Sequence, residues 1–145
     1  MTKSGVRLTN EDIRGFEERS SRKLTELYSK FLLENNGGYP EKSFFRISDE
    51  QGDDDVNVFF GIGGMYDNID DNLRFLRNRI PSEFIPIADD PNGNIICLGI
   101  SGEYYENIYW WDHEQESDIP DMSNMYYLAP DIYQFVENLE PSPYV

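Results

Sequence analysis

Residues 84–114 decide the fold class. They read Phe84-Ile85-Pro86-Ile87-Ala88-Asp89-Asp90-Pro91-Asn92-Gly93-Asn94-Ile95-Ile96-Cys97-Leu98-Gly99-Ile100-Ser101-Gly102-Glu103-Tyr104-Tyr105-Glu106-Asn107-Ile108-Tyr109-Trp110-Trp111-Asp112-His113-Glu114. Short apolar runs bounded by turn residues are the signature of buried strands. Pro81 and Pro86 bracket an extended piece at 84–88. Residues 89–94 are a dense turn signal, with Asn92-Gly93 suited to a tight hairpin. The wholly apolar run 95–100 predicts a short central strand. Ser101-Gly102 opens another turn, and residues 108–111 form the next strand. Connections this short cannot carry a crossover helix, so antiparallel pairing dominates.

Toward the N-terminus the period lengthens. Thr9 is a candidate N-cap with Asp12 three residues on, as in a capping box, and Ile13 and Phe16 supply the apolar stripe of a helix over 9–22. Leu24, Leu27, Tyr28, Phe31 and Leu32 share one face of a second helix over 24–35, which Asn36-Gly37-Gly38 and Pro40 end. Residues 44–47 and 56–60 then alternate as strands. The polar residues 48–55 between them predict a hairpin with an acidic tip. Gly61, Gly63 and Gly64 allow a sharp departure into a helix over 68–80 carrying Ile69, Leu73, Leu76 and Ile80 on one side. On the C-terminal side, residues 115–124 read as an acidic loop and 129–139 as a last helix. The expectation is one α+β domain over 8–140, with 1–7 and 141–145 as terminal extensions.

Charge narrows the function classes. The 145 residues hold 28 acids against 12 bases, a formal net charge of −16. A phosphate backbone or an anionic membrane surface repels such a chain, so neither nucleic acid nor membrane is expected as a partner. All 12 Lys and Arg lie at or before Arg79, whereas residues 80–145 carry 13 acids and no Lys or Arg. An acidic face of this kind steers toward a basic partner, and it also keeps a small protein soluble. The single cysteine, Cys97, sits in an apolar run and reads as a small buried hydrophobe. With no disulfide to form and no apolar segment resembling a leader or a span, the expected location is the cytoplasm.

Catalytic motifs fail on inspection. His113 is the only histidine, and a zinc centre lacks further soft ligands. Gly61-Ile62-Gly63-Gly64 misses the third glycine of a dinucleotide fingerprint and the Gly-Lys-Ser/Thr of a phosphate loop. Asp53-Asp54-Asp55 and Asp89-Asp90 lack the alternating register of a calcium loop. No cofactor is expected. A carboxylate pair acting as a small hydrolase stays open as an alternative, since the separation of two acids is invisible in sequence. Seven Tyr and Trp residues cluster late in the chain, at 104, 105, 109, 110, 111, 126 and 127. Core packing accounts for about half, and the rest suit a protein interface.

Three blocks resemble the SUKH superfamily, the Smi/Knr-type domain. They are residues 24–32 running into Asn36-Gly37-Gly38-Tyr39-Pro40, residues 84–90 running into 93–98, and residues 108–114. Thr25 departs from the proline usual after the leucine of the first block. The resemblance implies a single α+β domain with a mixed, mostly antiparallel curved sheet flanked by N- and C-terminal helices. It also implies a non-enzymatic immunity protein that binds and neutralises the C-terminal domain of a cognate bacterial toxin, often a nuclease. A regulatory protein-interaction scaffold is the other role within the family. Partner contacts differ between members, so candidates come from the acidic loops. They are Asp53, Asp54, Asp55, Asp89, Asp90, Glu103, Glu106, Asp112, Glu114, Glu116 and Asp118, with Tyr104 and Tyr105 as anchors.

Overall fold

Thr9 opens the first helix as its side chain predicts. Thr9 Oγ1 accepts from Asp12 N at 3.3 Å and Asp12 Oδ2 accepts from Thr9 N at 2.8 Å, a reciprocal cap that starts α1 (Asn10–Ser20). A computed structural model describes residues 1–144. The second helix, α2 (Glu26–Glu34), begins two residues later than its apolar stripe, because Thr25 holds extended dihedrals. Beyond it, Gly37 takes φ +72°, and a Cβ there would sit 2.8 Å from Gly61 N and 2.9 Å from Phe59 O. Only glycine fits so close a backbone crossing.

The hairpin that follows differs from expectation. β1 (Phe44–Ser48) pairs with β2 (Gly52–Asp55), opposing Arg46 to Asp53, Phe45 to Asp54 and Phe44 to Asp55. The three aspartates are therefore the strand itself, and the turn is residues 49–51. Tertiary pairing overrides the poor strand propensity of aspartate. Residues 58–59 form β3 (Val58–Phe59) and join the other sheet. Next come α3 (Ile69–Phe75), β4 (Phe84–Asp89), β5 (Ile95–Gly99), β6 (Ile108–Trp111), β7 (Met125–Ala129) and α4 (Ile132–Glu137). α3 stops five residues before its apolar pattern does, and Asn78 lies at φ +64° in the turn beyond it. β7 falls in the unassigned gap between the expected 115–124 loop and the expected 129–139 helix and takes Ala129 from the latter, so that Asp131 sets the start of α4, accepting from Gln134 N at 2.9 Å.

β3 to β7 form one five-stranded sheet in sequence order, every ladder antiparallel. β5 is its central strand and is buried throughout. The register slips between Pro86 and Ala88, a bulge that tolerates a residue without an N–H inside a strand. One sheet face, with Ile85, Ile87, Ile96, Leu98, Ile108 and Trp110, packs on Phe16 of α1, Phe31 of α2 and Phe135 of α4. The opposite face carries Phe84, Ile95, Cys97, Trp111 and Met125, and is covered in part by Leu76, Ile80 and Met122. Four of the five strands thus come from the part of the chain without Lys or Arg, and α1, α2 and α3 from the part that holds all twelve.

Candidate functional site

Many of the candidate acids serve the fold. Asp90 is 3% exposed. Its Oδ1 accepts from Asn92 N at 2.8 Å and Asn94 N at 2.7 Å, and its Oδ2 from Asn94 Nδ2 at 2.7 Å, so it builds the β4–β5 turn. Asp112, also buried, caps the short 3₁₀ turn after β6 by accepting from Glu114 N at 3.0 Å. Glu106 Oε2 accepts from Leu27 N at 3.0 Å, placing a carboxylate at the start of α2, where the helix dipole favours it. Asp55 accepts from Ser43 Oγ at 2.8 Å and Ser142 Oγ at 3.2 Å. Glu116 makes a two-pronged ion pair with Arg79, both bonds 2.9 Å.

Asp54 is the most perturbed of these groups. It lies half-buried on β2 with Oδ2 accepting from Trp110 Nε1 at 3.0 Å, which fastens the two-stranded sheet to the five-stranded one. Burial, then the neighbouring Asp90 carboxyl, push it up to about 8. The Asp54–Asp90 pair is the carboxylate pair closest to the hydrolase alternative. Asp90's oxygens are already engaged by the turn it builds, and neither residue lines the largest cavity.

The acids left to solvent fall at two ends of the sheet. Because β5 runs antiparallel to β4 and β6, the 90–94 turn lies at one end and the 100–107 turn at the other. Asp89 and Glu114 belong to the first end, with Asp118 on the loop beyond, and all but the half-buried Asp89 are exposed. Glu103 and Tyr105 belong to the second, both exposed, whereas Tyr104 packs its ring 5.1 Å from Phe84. Asp53 is exposed on β2. The candidates therefore do not gather into one patch.

The structure adds residues that the sequence does not single out. An open cavity of about 890 Å³ is lined by Asp67, Asp70, Asp71 and Asp89, with Tyr66 (92% exposed) and Phe75 (70% exposed) beside them. Arg19 pairs with Asp70 at 2.7 Å and Arg74 with Asp71, leaving Asp67 and Asp89 as its unneutralised acids. Burial, with Asp67's charge a smaller cause, pushes Asp89 up to about 6. The signal lay in Met65-Tyr66-Asp67-Asn68, where an aromatic and an acid precede an Asn cap.

Cys97 is fully buried and burial raises its thiol, so it packs as a hydrophobe. Among the described residues, no three His, Cys, Asp or Glu side chains are placed to share a metal ion, and no helix is long and apolar enough to cross a membrane.

The fold is a small α+β domain whose sheet is backed by helices on one face, with exposed acids and tyrosines at its rims. The model of the SMI1/KNR4 family (SUKH-1) matches residues 7–138, and the chain belongs to that family. It is also similar to the SPbeta prophage-derived uncharacterized protein YokK of Bacillus subtilis (strain 168), at 27% identity over 93% of this chain and 76% of that protein. No solved structure matches.

Proposed function

We propose that this protein is an immunity protein: it binds the toxic domain of a cognate bacterial toxin, a nuclease, and blocks it by occupancy, without chemistry of its own. The immunity role is what resemblance to bacterial SUKH members implies, and a prophage-derived relative fits a mobile toxin–immunity locus. The observation that carries the choice of partner is the charge partition. The part of the chain that builds β4 to β7 holds 13 acids and no Lys or Arg. A nuclease holds phosphates on a basic surface, and an acidic surface competes for those same cations. The protein works in the cytoplasm, where a nuclease finds its substrate.

Co-expression tests this. Cells poisoned by the toxin domain encoded beside this gene are expected to grow when the protein is supplied from a second plasmid. Continued killing with both proteins made in soluble form contradicts the proposal. The scaffold reading predicts a bound partner whose activity is unchanged.

A further inference from the structure

The sheet face that helices α1, α2 and α4 leave alone is only partly covered. Leu76, Ile80 and Met122 pack with Phe84, Ile95, Trp111 and Met125 on this face. A row of rings also crosses it. Tyr109 on β6 stands opposite Tyr127 on β7 in the register, with ring centroids 5.7 Å apart. Tyr109 also meets Phe84 of β4 at 5.2 Å and Tyr104 at 5.8 Å. Tyr127 and Tyr105 remain 51% and 49% exposed.

The turn that carries Tyr104 packs closely on β5. Gly99 faces Phe84 in the ladder. A Cβ on it would fall 1.8 Å from Tyr104 O, so the turn folds back into the space that a side chain would fill. Anchors fixed in this way lose little entropy when a partner docks.

The charges beside the rings are acidic. Burial, and then the nearby Glu103 carboxylate, raise the Tyr104 and Tyr109 phenols, with Glu83 a smaller cause at Tyr104. The strands and turn that present the rings contain no Lys or Arg. Self-pairing would bring two acidic rims together; the cations that border this face are Arg22 and Arg77, in a cleft with Phe84 and Glu83, and Arg79, which stacks over Trp111 and is paired with Glu116.

We infer that the part-buried ring row Tyr104–Tyr109 ending in exposed Tyr127, with exposed Tyr105 and Glu103 at its rim, is the docking surface for an arginine-bearing segment of a basic protein. The partner's identity rests on the proposed function, whereas the surface chemistry does not. Guanidinium groups stack on tyrosine faces and pair with carboxylates, so one segment can satisfy both features.

Two arms separate the claims. In the first, hexa-arginine amide is titrated into the isotopically labelled protein and followed by NMR. Shifts are expected at residues 103–109 and 125–129. The exposed-site double variant Tyr105→Ala/Tyr127→Ala should weaken binding about fivefold or more, with its other resonances in place. Shifts centred on residues 66–75, or unchanged affinity in the double variant, overturn the inference. So does a concentration-dependent dimer that the double variant abolishes, since a second copy then owns the face. In the second arm, the toxin domain encoded beside the gene should bind the double variant roughly tenfold more weakly than the native chain. Equal binding overturns the surface and leaves the proposed function standing. A toxin domain that ignores the native chain, while the peptide still maps to the rings, removes the proposed function and leaves the surface.

Discussion

Asp54 shows how one residue can carry a fold contact and a pH response together. Its native-state value of about 8 lies above the 3.8 of a free aspartate, so the fold prefers the protonated form. The stabilisation is complete below about pH 4 and is lost as pH rises through about 8. Asp89, at about 6, acts in the same direction. Stability measured by urea unfolding should therefore fall between pH 5 and 9. Asp54→Asn keeps an acceptor for Trp110 Nε1 and offers a donor to Asp90. It should raise stability at pH 8.5 by about 1–2 kcal/mol, a value reduced for the half-exposed site, and flatten the pH slope. A variant less stable than the parent at pH 8.5 contradicts the assignment. Glu106 is the converse case. Glu106→Ala removes the acceptor for Leu27 N, and should cost about 1 kcal/mol in the same assay while leaving the sheet's spectrum intact. Neither role is legible in sequence, because both depend on partners 79 and 56 positions away.

Whole elements were legible where a local pattern and tertiary packing agree. The capping box at Thr9, the apolar face of α2 and the central strand β5 all stand where spacing puts them. β2 and β7 did not, for different reasons. Gly52-Asp53-Asp54-Asp55 has the composition of a turn and becomes a strand because β1 supplies its ladder and Trp110 its anchor. Met125-Tyr126-Tyr127-Leu128-Ala129 has strand-favouring residues and becomes the fifth strand because β6 supplies its ladder. Within α2's C-terminal connection, Asn36 joins three elements. Its Nδ2 donates to Val6 O at 2.8 Å and Ile62 O at 2.9 Å, and its Oδ1 accepts from Ile62 N at 2.7 Å. Asn36→Ala leaves buried backbone groups unpaired and should cost about 2–3 kcal/mol, seen as a lower unfolding midpoint. A shift near zero would mean that water replaces those bonds.

At the scale of the molecule, the split of charge along the chain becomes a difference between parts of the fold, since all twelve Lys and Arg lie at or before Arg79 and the segment that builds β4–β7 and α4 has none. Composition alone revealed the asymmetry. It did not reveal that Asp90, Asp112 and Glu106 are spent on turns and a helix start, or that Tyr66, Phe75 and Asp67 share an open cavity. Association driven by such a surface is screened by salt. Raising NaCl from 0.05 to 0.5 M should slow association with a basic toxin domain roughly tenfold or more in surface plasmon resonance, with a smaller change in dissociation. The most direct measurement of the proposed function titrates purified protein into the candidate toxin nuclease that the proposal assigns as its partner and follows cleavage of that enzyme's nucleic acid. The account predicts that activity falls to zero at one equivalent, with the nucleic acid left intact by this protein alone. Full cleavage in the presence of a large excess would contradict it.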